Sequence, residues 1–250
     1  MHIKIKENRN FMKSNFRDDL DIKTDQEMGK PQPALQKPYG NEEKIILPEP
    51  TESVLMRNNL FLAIKERKSR RHFSPEYLSS NELSYLLWST QGVKKIIRDG
   101  YASIRTVPSA GARNPYETYL VINRVDGIKK GVYRYLPLEH SLIFLFENEN
   151  IKEQLKKVGQ SFISTGAVVF IWTCIPYRNE WRYSIMGHKP MLLDAGHICQ
   201  NLYLACESIN CGTCAIAAYN QTKIDNLLRL DGEDEFVVYL APVGKKDPSE

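Results

Sequence analysis

The 250-residue sequence lacks the features that mark several common protein classes. Its longest apolar run, from Ala167 to Ile175, is far shorter than the ~20 residues needed to span a bilayer. Its N-terminus has no hydrophobic segment of the kind that directs secretion. The five cysteines are an odd number, which argues against a disulfide framework and favours a reducing compartment. The sequence therefore predicts a cytoplasmic protein with no membrane partner.

Motifs for several kinds of binding site are also absent from the sequence. No Gly-x-Gly-x-x-Gly follows a predicted strand and no P-loop is present, so a Rossmann-type nucleotide site is not expected. The five histidines are too far apart in sequence to form a local pair of metal ligands, and we expect no metal site. The formal net charge of +4 is too small to argue for a nucleic-acid partner.

The most distinctive stretch that is present runs from Arg67 to Arg71 and holds four cationic side chains and the hydroxyl of Ser69. Convergent cationic and hydroxyl donors are what a dianionic phosphate requires. Taken alone, the same residues more simply form a solvated basic face or a nucleic-acid or targeting patch, because short Lys/Arg runs are common. The cluster alone leaves these alternatives open.

The chain divides into two regions by composition. Residues 1–52 are polar, contain five prolines and show no sustained period, so we predict an extended arm. Residues 53–250 alternate helical and strand patterns, which predicts one α+β domain. Its strongest elements are a capping box at Ser79, a strand over 167–174 buried on both faces, and a helix over 190–209. A helix over 55–67 and a strand over 213–218 are also predicted.

Two segments of small residues follow, Pro108–Gly111 and Ala215–Ala218. Small side chains let a flat ring approach the backbone closely, so these segments and the basic cluster suggest a planar ligand with an anionic tail. Ser109 is not in a Gly-x-Ser-x-Gly elbow, so a nucleophilic role is not indicated. Cys211 and Cys214 have the spacing of a redox pair, although two semi-buried packing cysteines are the simpler interpretation.

Six motifs in order resemble the FMN-dependent nitroreductase family, in particular its SagB/ThcOx-type branch, which includes the azoline dehydrogenases of peptide natural-product pathways. The chain resembles a standalone member of that branch. The motifs are Arg67–Phe73, Leu83–Gly92, Arg105–Gly111, Gly131–Tyr135, Asp194–Asn201 and Pro242–Gly244.

The resemblance implies a nitroreductase-like α+β fold, with a central, mostly antiparallel sheet flanked by helices, in an intertwined homodimer with FMN at the subunit interface. It assigns one flavin's phosphate, ribityl chain and pyrimidine edge to Arg67, Lys68, Ser69 and Arg71, with Lys245 assisting at the phosphate. The segment Pro108, Ser109, Ala110 and Gly111 would reach that flavin from the other subunit. The isoalloxazine would lie along Ala215, Ile216, Ala217 and Ala218.

Two departures from the family pattern bear on the chemistry. Ala217 and Ala218 stand where many nitroreductases have a glutamate and a glycine. Azoline dehydrogenases carry a Lys-Tyr pair before the long helix, and here the pair is Arg182-Tyr183. An arginine is a poor general base because it stays protonated, whereas a tyrosine can donate or relay a proton. Tyr183 and Arg182 are therefore the candidate catalytic residues.

Three functional hypotheses follow from the sequence. The first is an FMN-dependent oxidoreductase that takes a hydride from NADH or NADPH and reduces a small electrophile, such as a nitroaromatic or quinone, through flavin N5. The alternative within the same fold is a flavin-dependent dehydrogenase or tailoring enzyme that acts on a peptide or other biosynthetic intermediate. A non-catalytic module that binds flavin or nucleic acid is the third.

Overall fold

Helices and strands alternate along residues 3–14 and 22–248, which are the residues that the computed structural model describes. The helices are α1 (Ile3–Phe11), α2 (Leu60–Glu66), α3 (Ser80–Gln91), α4 (Ile151–Val158), α5 (Tyr177–Tyr183), α6 (His188–Ser208) and α7 (Gln221–Leu228). The strands are β1 (Lys44–Ile46), β2 (Val93–Ile97), β3 (Ala102–Arg105), β4 (Tyr116–Ile122), β5 (Gly131–Leu136), β6 (Ser141–Phe146), β7 (Val168–Cys174), β8 (Cys211–Thr213) and β9 (Phe236–Lys245).

Seven of these strands form one sheet in the order β1-β6-β5-β4-β7-β9-β8. Every neighbouring pair in it is antiparallel. Strands β2 and β3 form a separate antiparallel hairpin. The predicted fold class, an α+β domain with a mostly antiparallel central sheet flanked by helices, is confirmed.

The apolar strand β7 lies in the interior of the sheet and is covered on both faces. Phe170 and Trp172 point into a core shared with α3 and α6. Val169 and Ile171 alternate with them and point into a second core shared with α4 and α7. An uninterrupted apolar strand is what burial on both faces requires, so this prediction is also confirmed.

Helix α6 is close to the predicted range and has two unlike sides. Ala195 and Leu202 are buried against the sheet, whereas Leu192 and Leu193 are 51% and 56% exposed. One long side of the helix is therefore uncovered in the single chain. Within residues 3–14 and 22–248, no helix, including the 21-residue α6, is both long and apolar enough to cross a membrane.

Helix α3 begins as the capping box predicts. The Glu82 backbone N–H donates to Ser79 Oγ at 3.2 Å, and Glu82 Oε2 accepts from the Ser79 N–H at 2.9 Å. The helix ends at Gly92, which is its C-cap. This element follows from local sequence alone.

Other predicted boundaries were wrong. Helix α2 begins at Leu60 rather than Leu55, because the side chain of Asn59 caps its first turn. Strand β8 ends at Thr213 rather than continuing to Ala218. The β2–β3 hairpin and helix α5 were not predicted.

The N-terminal region contacts the body at several points. Residues Lys44–Ile46 form the edge strand β1 beside β6. Further toward the N-terminus, the Gln26 N–H donates to the Trp181 carbonyl at 2.8 Å. Helix α1 shows that this region is not extended throughout. The proposed division of the chain at residue 52 stays a prediction.

Candidate functional site

The basic cluster is anchored to the sheet by its backbone. The Arg70 N–H donates to the Thr213 carbonyl at 2.9 Å, and the Ser74 N–H donates to the Lys245 carbonyl at 3.0 Å. The cluster therefore runs alongside β8 and the end of β9. Arg67 is half-buried, and the side chains of Lys68, Ser69 and Arg71 are exposed.

Arg70 has a different role from the other basic side chains. It is 8% exposed, and its guanidinium lies 3.3 Å from the carboxylate of Glu207 at the end of α6. Its side chain covers Gly212, where a Cβ would lie 2.6 Å from Arg70 Cδ. Arg70 thus joins the cluster to α6 and β8, and the cluster is not a uniformly solvated face.

Tyr203 joins the basic cluster to the second small-residue segment. Its hydroxyl lies 2.9 Å from Ser69 Oγ and accepts the Ala215 N–H at 2.8 Å. The guanidinium of Arg67 lies over its ring at 5.2 Å. The structure therefore brings Arg67, Ser69 and Ala215 together around a residue that the sequence analysis missed. A phenol within the otherwise apolar stretch 202–206 was the available signal.

The segment Ala215–Ala218 presents a small exposed surface beside this group. Ile216 is buried and exchanges backbone hydrogen bonds with Leu240, so its side chain is not available to a ligand. Ala217 and Ala218 are exposed. The Arg71 guanidinium lies 5.7 Å from the ring centre of Phe162. Exposed alanines without a bulky side chain leave room for a flat ring to lie along the backbone.

Lys245 lies near the cluster but is already paired. Its ammonium group donates to the carboxylate of Glu82 and is largely buried. Burial disfavours the charged amine, but the hydrogen bond and the nearby acidic groups outweigh it, so the pKa of Lys245 is raised. To reach a ligand phosphate, Lys245 would have to give up Glu82.

The loop Pro108–Gly111 is held by a buried carboxylate on α6. Ser109 Oγ donates to Asp194 Oδ2 at 2.6 Å, and the Ala110 N–H donates to the same oxygen at 3.1 Å. Burial raises the pKa of Asp194, and the two hydrogen bonds oppose that shift. The Ser109 hydroxyl therefore holds the loop in place and does not have its proton available for a ligand. Gly111 adopts a φ of +58°, which favours glycine.

Tyr183 and Arg182 lie directly against this loop. A Cβ on Gly111 would collide with the Tyr183 hydroxyl and would lie 3.1 Å from Arg182 Nε. Arg182 Nη1 also donates to the hydroxyl of Tyr101, on the β2–β3 hairpin. The structure thus places both candidate catalytic residues at the loop. It adds Tyr101, which the sequence analysis did not identify.

The predicted flavin contacts consequently form two groups attached to different points of α6. One group is tied to Asp194 and the other to Tyr203. Nine residues separate these positions, which is roughly 13 Å along a helix and about half a turn around it. The two groups therefore lie on opposite faces of α6 within one chain. Neither of two cavities, of about 590 and 710 Å³, is lined by any of the predicted flavin residues.

The cysteine pair does not have the properties of a reactive dithiol. Cys211 and Cys214 are free, and both are buried. Burial raises the pKa of Cys211 to about 12, which keeps its thiol protonated at neutral pH. The simpler interpretation, two packing cysteines after a helix, fits these surroundings.

Comparison with known proteins gives a consistent result. The family model described as the nitroreductase family matches residues 64–245. The chain is 32% identical over 182 residues to “Putative nitroreductase MJ1384” of Methanocaldococcus jannaschii, covering 72% of this chain and 88% of that protein. A similarly described crystal structure, from Ralstonia eutropha JMP134, aligns with a TM-score of 0.67 at 25% identity over 87% of this chain and 94% of that one.

A more distant match is the trifolitoxin-processing protein TfxB of Rhizobium leguminosarum bv. trifolii. It is 29% identical over 133 residues, which are 51% of this chain and 36% of TfxB. This chain therefore resembles only about a third of TfxB.

Proposed function

Because the chain belongs to the nitroreductase family, we propose that it is an FMN-dependent oxidoreductase. It would use NADH or NADPH to reduce a small electrophile such as a nitroaromatic or a quinone. The observation that carries the proposal is the grouping of Arg67, Ser69 and Ala215 around Tyr203. The exposed side chains of Arg71, Ala217 and Ala218 belong to the same two segments. FMN would supply reversible two-electron chemistry at this place.

The residues present fit an FMN better than a simple anion. Arg67 and Arg71 provide charge-assisted donors, and Ser69 adds a hydroxyl on the same exposed stretch. Ala217 and Ala218 offer an uncharged surface for a flat ring. In this proposal Arg70 fixes the backbone of the cluster, because it is buried against Glu207 and Gly212. Lys68 remains at the exposed edge and would strengthen the local positive potential.

The two separate groups support a homodimer. Residues on opposite faces of α6 cannot both contact one small ligand within a single chain. In a two-fold dimer, the Pro108–Gly111 loop of one subunit can approach the basic cluster of the other. The exposed side of α6, with Leu192 and Leu193, would supply an apolar surface for such an interface.

Tyr183 is the proton donor or relay in this proposal. Its hydroxyl lies at Gly111, in the loop that would approach the partner's flavin. A tyrosine there can give a proton to an acceptor as it is reduced. Arg182 cannot act as the base in that step, because its guanidinium stays protonated.

The direct test is NAD(P)H oxidation by the purified, FMN-loaded protein in the presence of menadione or a nitroaromatic acceptor. The proposal predicts acceptor-dependent loss of the 340 nm absorbance with at least one of the two nicotinamide donors. A flavin-loaded protein whose flavin is not reduced by either donor would contradict it.

One comparison favours the second candidate function, a flavin-dependent tailoring enzyme for a peptide or related intermediate. The matched protein TfxB is named for trifolitoxin processing, and Tyr183 retains half of the Lys-Tyr pair of azoline dehydrogenases. Replacing Tyr183 with Phe separates the two functions. In the tailoring case, turnover of an azoline-containing peptide should be abolished while quinone reduction changes little. In the oxidoreductase case, quinone reduction should slow, because Tyr183 gives the proton to the acceptor. No azoline oxidation by the native protein would exclude the azoline dehydrogenase form of this function.

A further inference from the structure

Arg182 is held by one nitrogen and leaves two others available. Its Nη1 donates to the Tyr101 hydroxyl. In the described part of the chain, Nε and Nη2 have no hydrogen-bond acceptor, and the side chain is only half-buried. An arginine fixed in this way presents the remaining edge of a planar fork, which matches the geometry of a carboxylate.

Three guanidinium groups surround the ring of Tyr101. Arg98, Arg113 and Arg182 lie 5.7, 5.5 and 5.8 Å from its ring centre. Arg113 is 1% exposed, and its Nη2 has no hydrogen-bond partner.

Most acidic side chains near these guanidinium groups already pair with other residues. Asp194 accepts hydrogen bonds from Ser109 and Ala110. Glu180 pairs with His188, and Asp25 pairs with Lys30. Asp99, in the hairpin turn, is an exposed carboxylate on that loop. The surroundings of Tyr101 and Arg182 therefore carry an excess of positive charge.

The hydroxyl of Tyr101 is held from both sides. Arg182 donates to it from α5, and Gln26 Nε2 donates to it at 3.0 Å from the N-terminal region. Gln26 is further fixed by its own backbone bond to the Trp181 carbonyl at 2.8 Å. Gln26 lies outside residues 64–245, which match the family model. This chain thus orients Arg182 with a segment beyond the matched domain.

We propose that Arg182, positioned by Tyr101, binds an anionic group of the substrate, and that the preferred acceptor is an aromatic or quinoid compound with a carboxylate. This deepens the proposed function and rests on it, because the guanidinium lies at the loop Pro108–Gly111 assigned to the partner's flavin. The carboxylate would accept from Arg182 Nε and Nη2. The reducible group of the acceptor would then lie beside Tyr183.

Binding to the full-length, FMN-loaded protein tests this without turnover. Isothermal titration calorimetry with 4-nitrobenzoate and with neutral 4-nitrobenzamide compares two ligands that differ in charge. The native protein should bind the carboxylate at least about 10-fold more tightly, as expected for a charge-assisted hydrogen-bond pair. Arg182→Gln should remove that preference and leave amide binding within about twofold. Equal binding of both ligands by the native protein would overturn the proposal.

Three further variants keep the result interpretable. Arg182→Lys retains the charge without the fork and should lose part of the preference. Tyr101→Phe keeps the ring but removes the hydroxyl, and should weaken carboxylate binding by several-fold without changing flavin content. Lys152→Gln removes an exposed positive charge on α4 and should change nothing. If Lys152→Gln weakens binding as much as Arg182→Gln, the effect is general electrostatics and the proposal is wrong.

The phosphates of the nicotinamide donor are a second anionic group that Arg182 can bind. Steady-state kinetics distinguishes binding of the donor from binding of the acceptor. If the donor's phosphates occupy Arg182, the Arg182→Gln variant should raise KM for NADPH or NADH and leave KM for 4-nitrobenzoate unchanged, which would overturn the acceptor assignment. Failure of the oxidoreductase proposal gives a different pattern. In that case no donor reduces the flavin, while the calorimetric preference for the carboxylate persists.

Discussion

Single residues within the basic cluster have separate functions that their similar chemistry does not reveal. Arg70 is buried and joins α6 to β8, whereas Arg71 is exposed beside Phe162. Adjacent residues point to opposite sides because this stretch pairs with the sheet edge through the backbone bonds of Arg70 and Ser74. Flavin binding and stability should therefore respond to different arginines.

Replacing Arg71 with Gln should weaken FMN binding without unfolding the protein. A hydrogen bond to a charged group contributes about 1.5–3 kcal/mol, which corresponds to about 10- to 150-fold in Kd. Fluorescence titration of apoprotein with FMN measures this change. Lys65→Gln, an exposed charge change on α2, is the matched control and should retain native affinity. Equal losses in the two variants would contradict a specific role for Arg71.

His140 links the N-terminal region to the β5–β6 hairpin. Its Nδ1 lies 2.7 Å from the Tyr135 hydroxyl, and its Nε2 lies 2.7 Å from Ser84 Oγ and 3.2 Å from the Pro48 carbonyl. Burial lowers the pKa of His140 below its ordinary value of 6.5, although the Pro48 carbonyl and Glu49 oppose the shift. The folded state therefore holds this imidazole in its neutral form.

This lowered pKa predicts a pH dependence of stability. Below pH 6.5 the unfolded chain binds a proton at His140 that the folded chain does not, so the free energy of unfolding should decrease as pH falls. The loss should begin near pH 6.5 and level off below the folded pKa. Replacing His140 with Asn, which tolerates the positive φ here, should make Tm less sensitive to pH between 7 and 5. An unchanged slope would show that other groups cause the dependence.

At the scale of elements, close packing of the basic cluster on the sheet depends on glycine. A Cβ on Gly244, in β9, would lie 2.7 Å from Phe73 Cβ. Phe73 forms a β-bridge with Lys246, so it cannot easily move away. The packing of this segment on β9 fixes where the exposed Arg71 lies.

Gly244→Ala should therefore destabilise the fold and weaken flavin binding together. Overpacking of this kind costs about 1–3 kcal/mol, which a thermal unfolding experiment resolves as a lower Tm. Gly40→Ala is the control, since its Cβ would meet only the flexible Glu42 side chain at 3.4 Å. A native Tm in Gly244→Ala would mean that Phe73 relaxes freely and that the glycine is not required.

Elements with a strong local pattern could be predicted from sequence, and elements defined by tertiary contacts could not. Strand β7 and helices α3 and α6 have apolar periodicity or a capping box of their own. The middle of β2 is exposed at Lys94, Lys95 and Ile96, so it shows no alternation of buried and exposed residues. Helix α5 is short and polar, and buries Arg178 and Asn179, which sequence patterns would place at the surface.

The candidate site shows the same division. The motif residues Arg67, Ser69 and Ser109 were predicted because the resemblance covers them. Tyr203 and Tyr101 were not, because their importance lies in hydrogen bonds to residues more than 50 positions away in sequence. Such contacts depend on how α6 and the β2–β3 hairpin pack, so no local sequence pattern predicts them.

For the molecule as a whole, the uncovered side of α6 is the surface that we propose a second subunit covers. A Cβ on Gly196 would meet no atom within 4 Å, so the single chain does not need a glycine there. A glycine on an exposed apolar helix face allows the backbone of a second helix to approach closely. Together with Leu192 and Leu193, it marks the surface where we expect the second subunit.

Leu193→Glu should convert the protein to a monomer. Because the side chain is 56% exposed in the chain, the charge should cost little stability within one subunit but should be strongly unfavourable inside an apolar interface. Size-exclusion chromatography with light scattering gives the mass. Ile46→Glu, at the 78% exposed end of β1, is the control and should remain a dimer. A monomeric native protein would contradict the interface.

The flavin content of the purified native protein tests whether the basic cluster binds a flavin phosphate. The protein should be yellow, should show the two flavin bands in its visible spectrum, and should release about one FMN per chain on denaturation. The Leu193→Glu monomer should lose that flavin, because each flavin would be held by residues of two subunits. A colourless native protein that cannot be reconstituted with added FMN would contradict the assignment of the basic cluster as a flavin phosphate site.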